Sequence, residues 1–381
     1  MQAIFRHDAH GSKVPAKFAR FLFQLRHALT NSAKAIPKDG VKKFIFISQS
    51  TDIYVNLALE HWLYRNSDLS KQHVLLLWRS DPCVVIGRHQ NPWIECNIPV
   101  IESSQIAVAR RNSGGGAVYH DIGNLNLSFF TPRERYDRTY NLNIIKRALF
   151  REWNLESIIN KKDDIIVEGK FKVSGTAAKL GHPNAYHHCT LLVNVNKETL
   201  SLALDNTYEG IATNATKSAP SPIRNLTEMN CHVEMDRLLS AIGWEYLRGE
   251  TMTLHDEHGQ KFLGPQQRGF QMLNPTEDWF PGIEKILEEF RGWDWIYGKS
   301  PTFTVTRILS RARDSFVISR DDIRPQKLVI SVEKGIVQDA TLTSLPSNVS
   351  QYESLIANLS GKRFSYGLVN NTVRALRPVN F

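Results

Sequence analysis

Residues 110–121 read RRNSGGGAVYHD, in which two arginines precede three consecutive glycines. In a phosphate-binding P-loop, the glycines lie between a strand and a helix and are followed by Gly-Lys-Ser/Thr. Here they lie between strand-like runs at 106–111 and 117–120, and the strand-forming residues Val118 and Tyr119 follow them. Glycine within a sheet marks a bulge or a close approach of a ligand to the backbone. The stretch therefore excludes a P-loop and predicts a sheet with a ligand lying against it.

The rest of the chain mixes strand-like and helix-like segments, which predicts an α+β fold with a mixed sheet. Residues 50–52 can cap a helix that continues through Trp62, and the region 213–224 is a loop rich in Ser, Thr, Asn and Pro. Further helices are predicted at 281–291 and 351–359. The predicted strands are 74–80, 83–89, 106–111, 117–120, 125–130, 164–168, 171–174 and 186–194.

A change in the pattern near Gly298 predicts a domain boundary. After the segment WDWIYGKSP, the chain alternates strand-like residues and then contains one short predicted helix. We therefore expect a large mixed-sheet domain at 43–297 and a small C-terminal α+β accessory domain at 298–381.

The net charge of +9 is concentrated at the N-terminus. Residues 1–36 contain six basic side chains and one acidic one, so that +4 remains on the rest of the chain. Apolar residues recur there at helical spacing, and a basic, acid-poor amphipathic N-terminus is typical of a mitochondrial transit peptide. We expect 1–36 to be such a peptide; an ordinary surface helix is the alternative. Because the remaining chain has no interleaved basic and aromatic run, we expect no nucleic-acid partner.

Hydropathy and cysteine spacing exclude two further classes of protein. No stretch of 18 apolar residues is present, so we expect no membrane-spanning helix. The cysteines Cys83, Cys96, Cys189 and Cys231 form neither a C-x-x-C pair nor a zinc-binding spacing. We therefore expect no disulfide scaffold, and the cysteine usage fits a reducing compartment.

Several polar residues within predicted strands are candidates for chemistry, and each has a plainer interpretation. Lys172 could be a solvated lysine on the outer face of a hairpin. His187 and His188 suggest a metal, but neighbours on a strand point to opposite faces and cannot hold one ion together. We expect no metal. Cys189 could be a nucleophile, although a single cysteine in an apolar strand is usually a small buried side chain.

Four segments taken together resemble the lipoate–protein ligase family. They are RRNSGGGAVYHDIGNLN, the preceding IGRHQNPWIECN, GKFKVSGTAAK with the following YHHCTLL, and LNPTEDWFPGI. The likeness extends from Ser48 to Pro301, with a vaguer match beyond, and it is strongest to the mitochondrial lipoyltransferases. It implies a biotin- and lipoate-ligase-like fold whose large domain binds lipoyl-AMP on a mixed sheet.

The resemblance also implies roles for individual residues around the acyl group. Arg111, the three glycines and Tyr119 would surround the lipoyl chain and the acyl phosphate. Lys172 corresponds to the family lysine that contacts the acyl carbonyl and the phosphate, and it is the expected catalytic residue. A cation at that position suits the reaction, because a mixed anhydride develops negative charge as an amine attacks and AMP leaves.

The adenylate end of the site is expected to involve two lysines and a loop. By the same resemblance, Lys162, Thr190, Ala219 and Ser221 correspond to positions that line the adenylate, together with Lys172. We expect no tightly bound cofactor, since lipoyl-AMP is a substrate.

The implied activity is transfer of a lipoyl group, in amide linkage, to a lysine of the lipoyl domains of 2-oxoacid dehydrogenase E2 subunits. The donor would be lipoyl-AMP or the lipoyl-H protein of the glycine cleavage system. We expect a monomer in the mitochondrial matrix.

Several alternatives stay open. They are a full ATP-dependent lipoate–protein ligase, a cysteine-dependent octanoyltransferase-like enzyme using Cys189, and a catalytically inactive acyl-carrier-binding protein. A biotin ligase is disfavoured, because its Gly-Arg-Gly-Arg-type loop is absent.

Overall fold

The structure is a computed structural model that describes residues 41–206, 208–248, 269–310, 326–343 and 350–376. The expected transit peptide at 1–36 lies outside the described residues. The strands are β1 (Lys42–Ser48), β2 (Gln72–Trp78), β3 (Cys83–Ile86), β4 (Ala107–Arg110), β5 (Val118–His120), β6 (Asn124–Pro132), β7 (Ile158–Ile159), β8 (Ile165–Val167), β9 (Phe171–Ser174), β10 (Thr176–Leu180), β11 (Asn184–Leu192), β12 (Ile211–Thr213), β13 (Phe270–Leu273), β14 (Phe303–Ser310), β15 (Gln326–Glu333) and β16 (Ile336–Thr343). The helices are α1 (Ile53–Asn66), α2 (Pro92–Glu95), α3 (Ile98–Ser103), α4 (Arg138–Trp153), α5 (Lys197–Leu204), α6 (Met235–Leu247), α7 (Ile283–Arg291), α8 (Trp293–Ile296), α9 (Ser350–Ala357) and α10 (Tyr366–Leu376).

The largest sheet is mixed and has six strands in the order β10-β11-β6-β2-β1-β13. Strand β1 runs parallel to both β13 and β2, whereas β2, β6, β11 and β10 pair antiparallel in succession. The predicted α+β class with a mixed sheet is therefore confirmed. The predicted strands at 74–80 and 83–89 both form, but they belong to different sheets because β3 pairs with β4 and β5.

Alternation along the strands places apolar side chains on both faces of this sheet. On one face, Phe44 and Phe46 of β1 pack in the core cluster that includes Leu57 of α1. On the other face, Ile45 packs with residues of α4 and α6, such as Leu149. The sheet is thus covered by helices on both sides, and its central strands carry apolar side chains on both faces. Helix α1 begins where it was predicted, because the Asp52 carboxylate accepts hydrogen bonds from the backbone N–H groups of the first turn.

Two three-stranded sheets flank the large one, in the orders β4-β3-β5 and β7-β8-β9. The triple glycine connects β4 to β5, as the sequence predicted, and no helix follows it. The hairpin β8–β9 carries Lys172, and β9 continues into β10 of the large sheet through Gly175.

The C-terminal part forms a four-stranded antiparallel sheet in the order β12-β14-β15-β16. Its edge strand, β12, comes from the middle of the chain, where Ile211 pairs with Val305. The predicted boundary near Gly298 precedes β14–β16 in the chain, but β12 lies before it and pairs across it, and apolar residues of β14 and β15 share one core cluster with Phe44 and Leu57. Immediately after β12 comes the predicted loop, which has no helix or strand from 214 to 222 and only one isolated bridge, at Ile223.

A buried arginine joins the C-terminal segment to the chain before the triple glycine. The Arg110 guanidinium donates to the backbone carbonyl oxygens of Gly87, Gln90 and Ile296 at 2.7–3.2 Å and to the Ser300 hydroxyl at 3.0 Å. It is fully buried. No carboxylate among the described residues pairs with it. Its charge is therefore stabilised by peptide dipoles from two distant segments.

We expect Arg110→Met to lower the free energy of unfolding by at least about 3 kcal/mol, because several buried carbonyl groups lose their donor. Urea denaturation followed by circular dichroism measures this. Arg237→Met, which removes an exposed ion pair with Glu152, is the control and should change stability by less than about 1 kcal/mol. Equal effects of the two substitutions would contradict the role given to Arg110.

Candidate functional site

A cavity of about 950 Å³ opens between β5, β9, β11, α5 and the loop 213–224. It is large enough for a drug-sized or nucleotide-sized ligand. Five of the predicted site residues line it: Tyr119, Lys172, Thr190, Ala219 and Ser221. A second pocket of about 350 Å³ adjoins it and contains Lys162. Because Lys172 and Ser221 line both spaces, they lie where the two meet.

Lys172 is held in place by a carboxylate that the sequence analysis did not single out. Its Nζ lies 2.8 Å from Oδ1 of Asp164, and the Asp164 side chain is only 9% exposed. Asp164 is fixed in turn by Asn160, whose amide oxygen accepts from the Asp164 backbone N–H at 3.0 Å. The ammonium group of Lys172 is therefore oriented before any ligand binds, and this argues against a freely solvated lysine.

The other side of the ammonium group faces Gly175 and Thr190. A Cβ atom on Gly175 would lie 3.4 Å from Lys172 Nζ and 3.5 Å from Thr190 Oγ1. The Thr190 hydroxyl accepts a hydrogen bond from the Gly175 backbone N–H at 3.1 Å. Absence of a side chain at Gly175 thus keeps the space beside the ammonium open.

The loop 213–224 is docked beside β9 by backbone hydrogen bonds. The Lys172 N–H donates to the carbonyl oxygen of Pro222 at 2.9 Å, and the Arg224 N–H donates to the carbonyl oxygen of Lys172 at 3.1 Å. These bonds bring Ala219 and Ser221 to the cavity wall. The predicted loop residues are therefore next to Lys172 in space, although about 50 residues separate them in sequence.

Ser218 attaches the same loop to the triple glycine. Its hydroxyl donates to the Glu95 carboxylate and accepts hydrogen bonds from the Ala117 N–H at 2.8 Å and from Gln90 Nε2 at 3.1 Å. A Cβ atom on Gly116 would lie 2.9 Å from the Ser218 hydroxyl oxygen. The third glycine is thus required for contact with the loop, which is a different reason from the ligand contact that the sequence suggested.

Arg111 lies behind the triple glycine and lines neither cavity. Its guanidinium donates to the carbonyl oxygens of Val85, Gly114 and Gly116 at 2.6–3.1 Å. Burial lowers the pKa of Arg111 to about 10, so that it stays protonated at neutral pH. Arg111 therefore does not face either cavity and instead fixes the backbone of the glycine loop. In that loop Gly115 has φ +90°, a backbone conformation that favours glycine.

Tyr119 and His120 are neighbours on β5, so their side chains point to opposite faces of the sheet. Tyr119 lines the cavity, and burial raises the pKa of its hydroxyl to about 12. His120 is buried against Trp78, with an interplanar angle of 75°. Burial lowers the pKa of His120 well below its usual value, so that the ring is neutral at neutral pH.

The two adjacent histidines of β11 face opposite sides of the sheet, as predicted. His188 Nδ1 lies 2.8 Å from Oε1 of Glu60, in a cluster in which the Ser128 hydroxyl also donates to Glu60. Burial alone would raise the pKa of Glu60, but His188 and the hydrogen bonds lower it on balance. Among the described residues, no group of three or more His, Cys, Asp or Glu side chains could hold a metal ion.

Cys189 lies on the face of β11 that points away from the cavity. Its Sγ is 3.4 Å from Nε2 of His187, and both side chains are fully buried. Cys189 belongs to the core cluster that contains Ile45 and Leu149. Burial raises the pKa of the Cys189 thiol far above its usual range, which disfavours the nucleophilic thiolate.

The cavity combines an apolar wall with several cations. Its apolar lining includes Ile94, Val118, Leu192, Leu200, Leu204, Ile211 and Ile223. Lys172, Lys197 and Lys217 belong to the same lining, and the Lys197 ammonium lies 2.8 Å from the Glu228 carboxylate. Such a site suits a ligand with an apolar chain at one end and a phosphate at the other.

Asp164, Glu95 and Ser218 are the functional candidates that the residue patterns did not identify. Ser218 lies in the loop 213–224, directly before the predicted site residue Ala219. Its position in the sequence could therefore have suggested it as a site residue. Asp164 lies at the end of a predicted strand in KKDDIIVEG, next to a second aspartate. Nothing in that pattern indicates which carboxylate pairs with Lys172, because the ion pair depends on the bend of the β8–β9 hairpin.

Comparisons with known proteins identify the family of this chain. The lipoyl protein ligase A/B catalytic domain matches residues 52–245. The mitochondrial lipoyl amidotransferase of Mus musculus is 43% identical over 274 residues, covering 71% of this chain and 69% of the relative. Lipoate-protein ligase A of Psychrobacter cryohalolentis is 35% identical over 271 residues, covering 69% and 75%.

Solved structures show the same fold at lower sequence identity. A P. falciparum protein in complex with lipoate is 24% identical, with a TM-score of 0.57, and the match covers 89% of this chain and 96% of that one. A lipoate-protein ligase A bound with ATP is 21% identical, with a TM-score of 0.53, covering 68% and 100%. The predicted lipoate-ligase-like fold is thus confirmed. Together with the matched domain and the mammalian relative, it shows that this chain belongs to the lipoyl protein ligase A/B catalytic-domain family.

Proposed function

We propose that this protein is a lipoyl transferase that moves a lipoyl group from an acyl adenylate to an acceptor lysine of a protein, forming an amide. The observation that carries the proposal is the Lys172 ammonium, held 2.8 Å from Asp164 where the two cavities meet. Five other residues expected from the family resemblance line one of the two cavities, whereas Arg111 lines neither. They are Tyr119, Lys162, Thr190, Ala219 and Ser221.

The larger cavity has the size and chemistry to accept lipoyl-AMP. Its volume of about 950 Å³ lies within the range of ligand sites, and its apolar wall can take the eight-carbon chain. Burial of several methylenes at about 0.8 kcal/mol each would contribute about 4–6 kcal/mol to binding. The adjoining lysines offer cations to the phosphate.

In the proposed reaction, the acceptor lysine nitrogen attacks the acyl carbonyl carbon. The new C–N bond forms, the C–O bond of the mixed anhydride breaks, AMP leaves with that electron pair, and the nitrogen loses its proton. Lys172 stabilises the negative charge that develops on the carbonyl oxygen and on the leaving phosphate. Asp164 keeps the ammonium aimed at that point, and Arg111 acts through the glycine loop, which packs at Gly116 against Ser218 of the cavity lining.

The finer assignments follow the family and its mitochondrial members. We propose that the acceptors are lipoyl domains of 2-oxoacid dehydrogenase E2 subunits, and that the donor is lipoyl-AMP or the lipoyl-H protein of the glycine cleavage system. The basic, acid-poor residues 1–36 support location in the mitochondrial matrix. No helix of the described chain is long and apolar enough to cross a bilayer. We propose that the protein acts as a monomer.

A second candidate function is the full ATP-dependent ligase reaction. The observation in its favour is the smaller pocket, which places Lys161, Lys162 and Lys170 beside Lys172. Several ammonium groups in one pocket could hold the polyphosphate of ATP or the released pyrophosphate. The cysteine-dependent mechanism has no such support, since Cys189 lies in the core and lines neither space.

One experiment separates these functions. Purified protein lacking residues 1–36 is incubated with an apo lipoyl domain and with lipoate plus ATP, lipoyl-AMP, or lipoyl-H protein, and the acceptor mass is measured. Mass gain with lipoyl-AMP or lipoyl-H protein alone supports the transferase. Mass gain with lipoate plus ATP supports the ligase, and no gain with any donor contradicts both.

We expect Lys172→Met to lower the single-turnover rate of transfer from lipoyl-AMP about 10²- to 10³-fold, equivalent to about 2.7–4 kcal/mol of transition-state stabilisation. Methionine keeps most of the apolar stem, so folding should be preserved. Lys172→Arg should not restore the rate, because a planar guanidinium cannot replace a compact ammonium. Lys285→Met, an exposed lysine on α7, is the control. If both methionine variants behave alike, Lys172 has no catalytic role.

Asp164→Asn should lower the transfer rate about 10- to 100-fold, because the Lys172 ammonium loses the carboxylate that orients it and misplacement of a reacting group is costly. The same single-turnover assay measures it. The double variant Asp164→Asn/Lys172→Met should be no slower than Lys172→Met alone, since the aspartate acts through the lysine. Fully additive losses would show that Asp164 acts independently.

Gly116→Ala should raise the KM for lipoyl-AMP about tenfold, because its Cβ would lie 2.9 Å from the Ser218 hydroxyl oxygen and 3.3 Å from its Cα, displacing the loop. Gly114→Ala is the matched control in the same loop, since its Cβ would meet no atom within 4 Å. Steady-state kinetics of both variants test this, and an unchanged KM for Gly116→Ala would show that the loop contact is dispensable.

A further inference from the structure

Three basic side chains gather on the surface beside the triple glycine, and the site described above does not use them. Lys179 Nζ lies 5.0 Å from the ring centre of Tyr64, which is adjacent in sequence to Arg65. Arg88 Nη1 donates to the Asn112 side chain at 3.0 Å. A second contact, 3.0 Å from Asn112 Nδ2 to His61 Nδ1, and the stacking of His61 on Tyr64 connect Lys179 with Arg88. Arg65 is exposed, and its charge is close enough to act on Lys179. We call Arg65, Arg88 and Lys179 the basic cluster.

The basic cluster has no carboxylate partner among the residues that the structure describes. None of its members forms an ion pair there, whereas Arg138, Arg224 and other surface arginines do. Burial lowers the pKa of Lys179, and the charges of Arg88 and Arg65 lower it further, against an opposing effect of Glu60. The cations therefore repel one another, and an incoming negative charge would relieve that repulsion.

Strand β10 connects the basic cluster to the catalytic ammonium. It is the edge of the six-stranded sheet, and within the described chain it pairs with β11 alone. It starts at Thr176, directly after Gly175, whose Cβ position is 3.4 Å from Lys172 Nζ. It ends at Leu180, which is 50% exposed, next to Lys179. At about 3.3 Å per residue, the strand spans about 16 Å from the site to the basic cluster.

An edge strand presents backbone N–H and C=O groups that can pair with an extended segment of another protein. We propose that the β10 edge and the basic cluster form the docking surface for an acidic, extended segment of the acceptor protein. The segment lies along β10, with its acceptor lysine at the Gly175 end and its carboxylates at Arg65, Arg88 and Lys179. This inference rests on the proposed transfer to a protein lysine and adds the surface that selects the acceptor.

The chemistry of the surface favours a protein acceptor. The edge of β10 offers alternating donors and acceptors, which a polypeptide backbone matches and a nucleic-acid backbone does not. Charges at the rim of such a surface mainly set the rate of encounter and its dependence on salt. Catalysis on a small amine, which needs only the cavity, should not depend on the basic cluster.

The test compares two acceptors in transfer from lipoyl-AMP. One is an apo lipoyl domain of a 2-oxoacid dehydrogenase E2 subunit, and the other is Nα-acetyl-lysine amide at high concentration. We expect Lys179→Glu combined with Arg65→Glu to raise the KM for the domain about tenfold or more at low salt, with kcat unchanged. The effect should shrink in 0.5 M salt, and the rate with the small amine should stay at the wild-type value. Lys285→Glu, an exposed charge reversal on α7, is the control.

Charge-swapped acceptors provide the specific readout. Replacement of an acidic residue near the acceptor lysine by lysine should partly restore the KM of the Lys179→Glu variant, which a merely structural defect would not allow. An unchanged KM for the domain, or an equal loss with both acceptors, would overturn the docking surface. Activity of the wild type on neither acceptor would instead contradict the proposed function.

Hydrogen exchange tests the surface without reference to turnover. Addition of the apo domain to the full chain should slow exchange of the backbone amides of Thr176–Leu180. Unchanged exchange in β10 at a saturating concentration of the domain would overturn the proposal even if transfer is observed.

Discussion

The structure around the site depends on two consecutive buried arginines that form no ion pair with a carboxylate among the described residues. Arg110 and Arg111 are neighbours on the chain, and their guanidinium groups point to opposite sides. Each donates mainly to backbone carbonyl oxygens, and the Ser300 hydroxyl is a further acceptor for Arg110. Burial lowers the pKa of each to about 10, and both remain charged at neutral pH. A charge taken out of water is costly unless every donor is used. The surrounding loops are therefore held in the one arrangement that supplies enough carbonyl groups.

The cavity is formed from segments that this arrangement brings together. Arg111 fixes the glycine loop, and the glycine loop, through Gly116, leaves room for Ser218. Ser218 and the backbone of Lys172 then hold the loop 213–224 from its two sides. Lys172 is thereby connected to the cavity wall through its own main chain, and the ion pair with Asp164 holds its ammonium group. Substitution at one of these contacts should displace the others, because they all hold the loop 213–224.

Much of the fold could be predicted from the sequence, since its strongest elements have local causes. Helix α1 has an N-capping aspartate, β9 was located at its observed residues, and the triple glycine lies between two strands because no helix-starting residues follow it. Helices α4 and α6 were not predicted. In α4, polar residues such as Asn141 and Arg147 are buried against partners elsewhere in the chain, which weakens the apolar periodicity that would have identified it.

The residues of the site could be predicted in part, but the contacts between them could not. Family resemblance indicated Lys172, Thr190 and the loop, and the structure brings them to one cavity. It could not indicate that Asp164 holds the lysine, since that contact depends on a turn, or that Arg111 faces carbonyl groups. The pairing of β12 with β14 was also hidden, because a strand of three residues carries no signal for a partner about 90 residues away.

That pairing has a consequence for how the protein is made. A chain synthesised from its N-terminus exposes β12 long before residues 303–305 exist to pair with it. Closing so long a loop is entropically costly and slow compared with local contacts. The large sheet can therefore form early, whereas β12, which leads into the cavity wall at 214–222, gains its pairing partner only when the C-terminal strands arrive. Competence to bind a ligand should be among the last properties that the nascent molecule acquires, and a chain shortened at its C-terminus would carry Lys172 without the β12–β14 pairing beside the cavity.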